Sequence, residues 1–390
     1  MADEQQAEKV LQEMTANLVE KLKLVLFAPV TMRQMVTAED TPATGSIWVS
    51  RSTFKKPDDC EELTSVLRKI FAELSPSKQS VVDFSIEHVK EKEQEPTVSE
   101  QEKYDRALKD VTADIVILYA HGGFYYTGSP ASVRSLTLAL AKATGGRFIV
   151  LEYRFAPQNV FPAAVIGLLL TYMSLLSPSE DAGYISVSAK NIVFAGDSSG
   201  GNLVLSLLAL LQYIRDCHNG CVHFRGKWVD IPLSAGAATM SAHCDHALSF
   251  DFQARNKPYD IFVLEFLPYL QPSYPACDLW PTNPPRGDIY CDGPTLLHPL
   301  VSVAIAASWS AKDMPSIFMV TGQERLTDGQ YYLAKKAEKS ATTVRFLQYN
   351  ALPHTFASFF PRLPHSKHLI HHWWSFCRDV VHNSSAVKRK

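Results

Sequence analysis

Residues 191–200 read Asn191-Ile192-Val193-Phe194-Ala195-Gly196-Asp197-Ser198-Ser199-Gly200, and an apolar helical run from Asn202 to about Tyr213 follows. The order of strand, Gly-x-Ser-x-Gly and helix places a serine hydroxyl at the tip of a sharp, strained turn. The flanking glycines are needed because strand and helix leave no room for side chains beside the turn. The helix points its N-terminus at the serine, where unpaired N–H groups and partial positive charge favour an oxyanion. Ser198 therefore reads as a nucleophile. The five residues alone also describe an ordinary Gly/Ser turn. The apolar strand before them, and Leu203, Val204, Leu207, Leu208 and Leu211 behind, argue for the elbow.

Upstream, Asp114-Ile115-Val116-Ile117-Leu118-Tyr119-Ala120 is a buried-strand run ending in His121-Gly122-Gly123-Phe124. Paired glycines just past a strand let the backbone turn its N–H groups outward. Acyl transfer needs such donors at the tetrahedral oxyanion, where one missing donor costs about 3 kcal/mol. The expected oxyanion hole is the N–H of Gly122, Gly123 and Ser199. His121 reads as a hydrogen-bonding partner that fixes the loop.

Downstream, the strand run Pro315 to Thr321 ends in Gly322-Gln323-Glu324-Arg325-Leu326-Thr327-Asp328. Either Glu324 or Asp328 could orient a histidine. That histidine is His354, in Leu352-Pro353-His354-Thr355-Phe356, just beyond the strand run Thr343 to Tyr349. From such a loop it can reach Ser198, take its proton on attack and return it to the leaving alcohol. The order serine, acid, histidine is that of a strand-elbow hydrolase.

These pieces together resemble the hormone-sensitive-lipase-like branch of the α/β-hydrolases. The matching residues are His121-Gly122-Gly123, Glu152-Tyr153-Arg154-Phe155-Ala156-Pro157, Phe161-Pro162-Ala163, Gly196-Asp197-Ser198-Ser199-Gly200-Gly201, Gly322 to Asp328, and His354-Thr355-Phe356. The resemblance implies an α/β-hydrolase fold, with a mostly parallel central sheet flanked by helices and covered by a helical cap. It assigns the acid to Glu324, two residues past Gly322, with Asp328 as the fallback. Trp280 to Ser302 is similar to a fungal sub-branch, which implies a steryl, xenobiotic or secondary-metabolite ester as substrate. The chain departs from the family at Phe124, where Gly or Ala is usual, and at Glu324, where Asp is commoner. The family's Ser-Pro-Trp-x-Asp stretch after the sixth strand is not evident, and Pro232-Leu233-Ser234-Ala235-Gly236 stands near its place.

The 390 residues fit one large α/β domain with a cap, and 46% hydrophobic with 20% charged residues is a globular composition. A formal net charge of −2 gives no electrostatic case for nucleic acid or a charged membrane surface. The acidic, polar start Met1-Ala2-Asp3-Glu4 is not a secretory signal, and the apolar run Phe161 to Leu176 is shorter than a bilayer span. Seven irregularly spaced cysteines argue against a disulfide framework. A cytoplasmic protein without stable membrane insertion is expected.

Strand–helix alternation from Asp114 onward implies the parallel sheet, with strand runs at 114–120, 147–153, 191–195, 226–233, 315–322 and 343–349. Runs near Gly45 to Ser52 and Val81 to Glu87 are expected to form an antiparallel edge. The N-terminal 1–60, with an amphipathic helix over 8–25, and the aromatic, proline-rich insertion 244–300 are expected to form the cap. Residues 61–243 and 301–385 are expected to form the core. Phe124, Tyr125, Phe262 and Phe266 are expected against the substrate, although most cap aromatics should serve the cap's own packing. Cys217 to His223 and His243 to His246 match no strong zinc pattern, and no phosphate-binding glycine loop exists. Neither metal nor cofactor is expected. The sequence thus reads as a serine hydrolase of a small to medium apolar carboxylic ester. Acyl transfer by the same triad, or a non-catalytic small-molecule receptor, are the alternatives; His354 favours the enzyme.

Overall fold

The structure, a computed structural model, describes residues 2–39, 49–51, 60–75, 99–180, 182–217, 219–250, 254–262, 267–270, 274–306, 309 and 314–382. Its strands are β1 (Val116–Ala120), β2 (Arg147–Leu151), β3 (Ile192–Asp197), β4 (Cys221–Phe224), β5 (Lys227–Asp230), β6 (Gly236–Met240), β7 (Ser316–Thr321) and β8 (Val344–Gln348). Its α-helices are α1 (Ala2–Leu26), α2 (Val30–Thr37), α3 (Cys60–Leu74), α4 (Glu100–Lys109), α5 (Arg134–Thr144), α6 (Ala163–Leu176), α7 (Ser198–Cys217), α8 (Thr327–Lys339), α9 (Phe356–Phe359) and α10 (Pro364–His382). Six strands form one sheet in the order β2-β1-β3-β6-β7-β8, and every pairing in it is parallel. The central strands β1, β3 and β6 are buried along their whole length, as a sheet covered on both faces requires. One face packs on α6 and α7, through Leu169, Tyr172, Leu203 and Leu207. The other packs on α5 and α10, through Leu136, Leu140, Trp373 and Phe376.

The strand expected over 226–233 is instead one arm of a separate antiparallel hairpin, β4–β5. Arg225 and Gly226 turn it with φ of 53° and 75°, the two positive values a tight hairpin needs. The sheet strand is β6, Gly236-Ala237-Ala238-Thr239-Met240, whose small residues carry little hydrophobic signal. At Gly236 the helix presses close: a Cβ there would stand 3.1 Å from the Phe376 ring of α10. The runs expected near 45–52 and 81–87 lie almost wholly outside the described residues.

Between β6 and β7 the described chain holds only short 3-10 turns, among them Lys257–Tyr259, Pro268–Leu270 and Gly293–Leu297. The first is tied to α1 by a hydrogen bond of 2.7 Å from the Tyr259 hydroxyl to Glu8. Among the described residues no helix is long and apolar enough to cross a membrane.

Parallel register brings the strand exits together. Ala120 of β1 pairs with Gly196 of β3, Asp197 with Met240 of β6, Met240 with Val320 of β7, and Thr321 with Gln348 of β8. The loops leaving these five strands therefore meet at one end of the sheet, the carboxyl-end crevice where open α/β sheets bind ligands.

Candidate active site

Ser198 leaves β3 with φ 52°, in the left-handed region that costs a non-glycine residue energy, and begins α7. The turn is possible because a Cβ on Gly200 would lie 2.1 Å from the Ala120 carbonyl oxygen of β1. The loop after β8 carries His354, whose Nε2 lies 2.8 Å from Ser198 Oγ. Its Nδ1 lies 3.4 Å from Glu324 Oε2, an ion-pair contact rather than a short hydrogen bond. Serine, imidazole and carboxylate are all buried, with Glu324 wholly so.

The Glu324 carboxylate is held from several sides. Ser241 Oγ donates to Oε2 at 2.7 Å, and Gln330 Nε2 donates to Oε1 at 2.8 Å. Burial works to raise its pKa, but the facing His354, then Ser241 and Gln330, outweigh that and hold it below the ordinary value. Burial likewise works to lower the pKa of His354. Glu324, with further help from Asp260 and Asp197, outweighs it and holds the imidazole above its ordinary value. Asp328 stands apart in the first turn of α8, half-buried, its pKa raised by burial.

The sequence reading did not find Ser241, Gln330 or Asp260. Ser241 also accepts from Thr355 N at 2.9 Å, so one hydroxyl bridges Glu324 and the loop of His354. A signal for it existed. Ser241-Ala242-His243-Cys244-Asp245 follows the sheet strand directly and keeps the serine and aspartate of the family's Ser-Pro-Trp-x-Asp stretch. Pro232 to Gly236 leads into β6, ending on its first residue, and is not its counterpart. Misplacing the strand hid the match.

The glycine loop after β1 lies against the elbow. Gly122 N donates to Asp197 Oδ1 at 3.1 Å, and Tyr119 donates its hydroxyl to the same oxygen at 2.8 Å. Burial nonetheless pushes the Asp197 pKa up to about 6. Gly123 has φ 122°, and a Cβ there would fall 2.0 Å from the Thr127 carbonyl oxygen. His121 braces the loop: its Nδ1 is 2.7 Å from the Gly122 carbonyl, its ring stacks on Tyr153, and burial brings its pKa down to about 4. Helix α2 docks on the same loop, where Arg33 donates to the Tyr126 hydroxyl at 2.8 Å and Gly128 N donates to Thr37 at 2.9 Å.

Of the four residues expected against the substrate, Phe262 packs edge-on to the His354 ring at 5.4 Å and on Phe124 at 5.3 Å. Phe124 also lines a cavity with Tyr126, His243, His246 and Tyr290. Tyr125 is turned into the core, stacked on Tyr290 at 3.7 Å with its hydroxyl on Asn202. Phe266 lies outside the described residues. Among the described residues no three or more His, Cys, Asp or Glu side chains gather as a metal site, and His243 with His246 form a stacked pair instead.

The alpha/beta hydrolase fold family matches residues 117–358. The chain belongs to that family. It is similar to an acetyl-hydrolase of Streptomyces hygroscopicus, 29% identical over 266 residues that cover 68% of this chain and 76% of that one. It is also similar to an esterase of Acinetobacter venetianus, 24% identical over 66% of this chain and 72% of the other. Over a shorter stretch, 27% of this chain and 32% of the other, it is 37% identical to an ethyl acetate hydrolase of Pseudomonas putida. Among solved structures it matches an esterase of the bacterial hormone-sensitive lipase family at a TM-score of 0.54 and 25% identity, covering 70% of this chain and 78% of that one. The family match and these esterases place the chain among the carboxylic ester hydrolases.

Proposed function

We infer that this hydrolase cleaves esters through an acyl-enzyme on Ser198, and that it prefers esters of small acyl groups. The observation that carries the reading is the 2.8 Å contact between Ser198 Oγ and His354 Nε2, backed by the buried Glu324. His354 accepts the hydroxyl proton as Oγ attacks the ester carbonyl, and Glu324 stabilises the imidazolium that forms. His354 then protonates the leaving alcohol and activates the water that releases the acid. Backbone N–H groups of Gly123 and Ser199 receive the oxyanion; that of Gly122, expected as a third donor, is already donated to Asp197 Oδ1. The packing of Phe262 on the His354 ring and of Phe124 on Phe262, and the acetyl and acetate in the names of the relatives, support a small acyl group. The natural alcohol is then an apolar one, in keeping with an acetylated steryl, xenobiotic or secondary-metabolite compound.

A series of 4-nitrophenyl esters tests this. Acetate and butyrate should be turned over, and decanoate at least about tenfold more slowly, since a closed pocket rejects each added methylene at a cost of about 1 kcal/mol or more. No turnover of any ester by folded protein would sink the reading. Gly123→Ala tests the oxyanion loop. Its methyl group cannot coexist with the Thr127 carbonyl at 2.0 Å, so the loop must move. The kcat for 4-nitrophenyl acetate should fall by about 100-fold, the loss typical of one oxyanion donor.

A further inference from the structure

Asp260 lies in the segment between β6 and β7, one residue past the 3-10 turn that Tyr259 ties to α1. It is 4% exposed. Its carboxylate accepts three backbone N–H groups. His354 N donates to Oδ1 at 2.9 Å, Phe262 N donates to Oδ1 at 3.1 Å, and Arg325 N donates to Oδ2 at 2.7 Å. The first belongs to the base itself, the second to the aromatic ring beside it, and the third to the residue next to the acid. Arg325 returns to the same segment by donating from Nη1 to the Phe262 carbonyl at 3.3 Å. One buried carboxylate thus joins the β7 loop, the β8 loop and the segment over the site.

We propose that Asp260 is a positioning residue for the triad, fastening the loops of Glu324 and His354 to each other and to the overlying segment while its negative charge supports the imidazolium of His354. The proposal rests on the ester-hydrolase reading for its rate effects, though not for its effect on the histidine. A buried carboxylate bonded to N–H groups makes charge-assisted hydrogen bonds, which fix geometry more firmly than neutral ones. Small displacements matter here, because a shift of about 1 Å in a reacting group can cost about 100-fold in rate. The charged groups facing His354 are Glu324, Asp260 and Asp197, all acidic; His243 is the basic neighbour, its own pKa lowered first by burial. Burial pushes the pKa of Asp260 up to about 6, so it is mostly ionised at neutral pH.

His354 must be neutral to accept a proton, so kcat/KM rises with pH through its pKa. Removing the negative charge at Asp260 lowers that pKa and moves the acid limb to lower pH. In Asp260→Asn the limb should fall by about one unit, the size of effect a nearby charge exerts, and kcat should drop by about 10- to 100-fold. Asp260→Glu keeps the charge on a longer arm; its limb should stay near the wild-type position while kcat still drops. Tyr259→Phe removes the neighbouring tie to Glu8 and serves as the control for a purely structural loss: melting temperature falls and the limb does not move. Proton NMR of the His354 ring, assigned with His354→Gln, reads the same pKa shift without substrate, so failure of the ester-hydrolase reading leaves this test intact. If Asp260→Asn moves the histidine pKa no further than Tyr259→Phe does, the electrostatic role is wrong. If Asp260→Asn does not fold, Asp260→Glu decides: full wild-type kcat, or a displaced limb, overturns the proposal.

Discussion

Ser198→Ala is expected to lose labelling by a fluorophosphonate probe entirely and to lower kcat by about 10⁶-fold, the scale seen when a triad nucleophile is removed. The hydroxyl is the only atom changed, and it is the atom that faces His354 Nε2 at 2.8 Å. Fold stability should change little. Alanine and serine carry the same Cβ, so the strain of φ 52° at the elbow is common to both. The imidazole loses one buried hydrogen bond, worth about 1 kcal/mol. A small rate should survive, because the oxyanion donors and the binding site remain. The measurement is paired: probe labelling followed by mass spectrometry of the elbow peptide, and turnover of 4-nitrophenyl acetate in variants with matched melting curves. Labelling at another residue in wild-type protein, or equal labelling of the variant, would falsify the assignment of Ser198.

What was legible in the sequence follows the strength of local signals. β1 is an unbroken apolar run followed by His121-Gly122-Gly123, and β3 opens on the apolar run Ile192 to Ala195 before Gly196; a fully buried parallel strand has little other way to look. The elbow follows from them because Gly196, Ser198 and Gly200 stand where a strand becomes a helix. β6 was missed for the converse reason. Its Gly, Ala and Thr residues carry little hydrophobic signal, and Gly236 is pressed by Phe376 and Val380, whereas Trp228 and Val229 nearby look like a strand and form a hairpin arm. That error propagated to the site, since Ser241 is recognisable only as the residue after the sheet strand. Gln330 and Asp260 are harder still. They meet Glu324 and His354 across sequence separations of 6 and 94 residues, and nothing in a polar residue's own neighbourhood tells which distant carboxylate or backbone N–H it will serve. Ser198 and His354 were readable as neighbours because strand ends locate them. The residues that hold them were not, because only the assembled crevice does.

The acid is the last member of the triad to test, and Glu324→Gln against Asp328→Asn separates the two carboxylates. Glu324→Gln should lower kcat by about 10³- to 10⁴-fold, the cost of removing the charge that stabilises the imidazolium. The geometry explains why an amide cannot substitute. Glu324 Oε2 accepts from Ser241 and faces His354 Nδ1, while Oε1 accepts from Gln330 Nε2. An amide has one acceptor end only, so its NH₂ must oppose a donor on one side or the other. The pH profile should change in a defined direction. Glu324 holds the histidine pKa up, so its loss moves the acid limb of kcat/KM to lower pH, alongside the fall in rate. Asp328 sits in the first turn of α8, where a negative charge near a helix N-terminus contributes about 0.3–1 kcal/mol. Asp328→Asn should therefore cost a fewfold at most in kcat and leave the limb in place, with a small drop in melting temperature. Steady-state kinetics from pH 5 to 9 on both variants measures this. A larger loss in Asp328→Asn than in Glu324→Gln, both folded, would move the acid to Asp328 and require the α8 terminus to approach His354 during turnover.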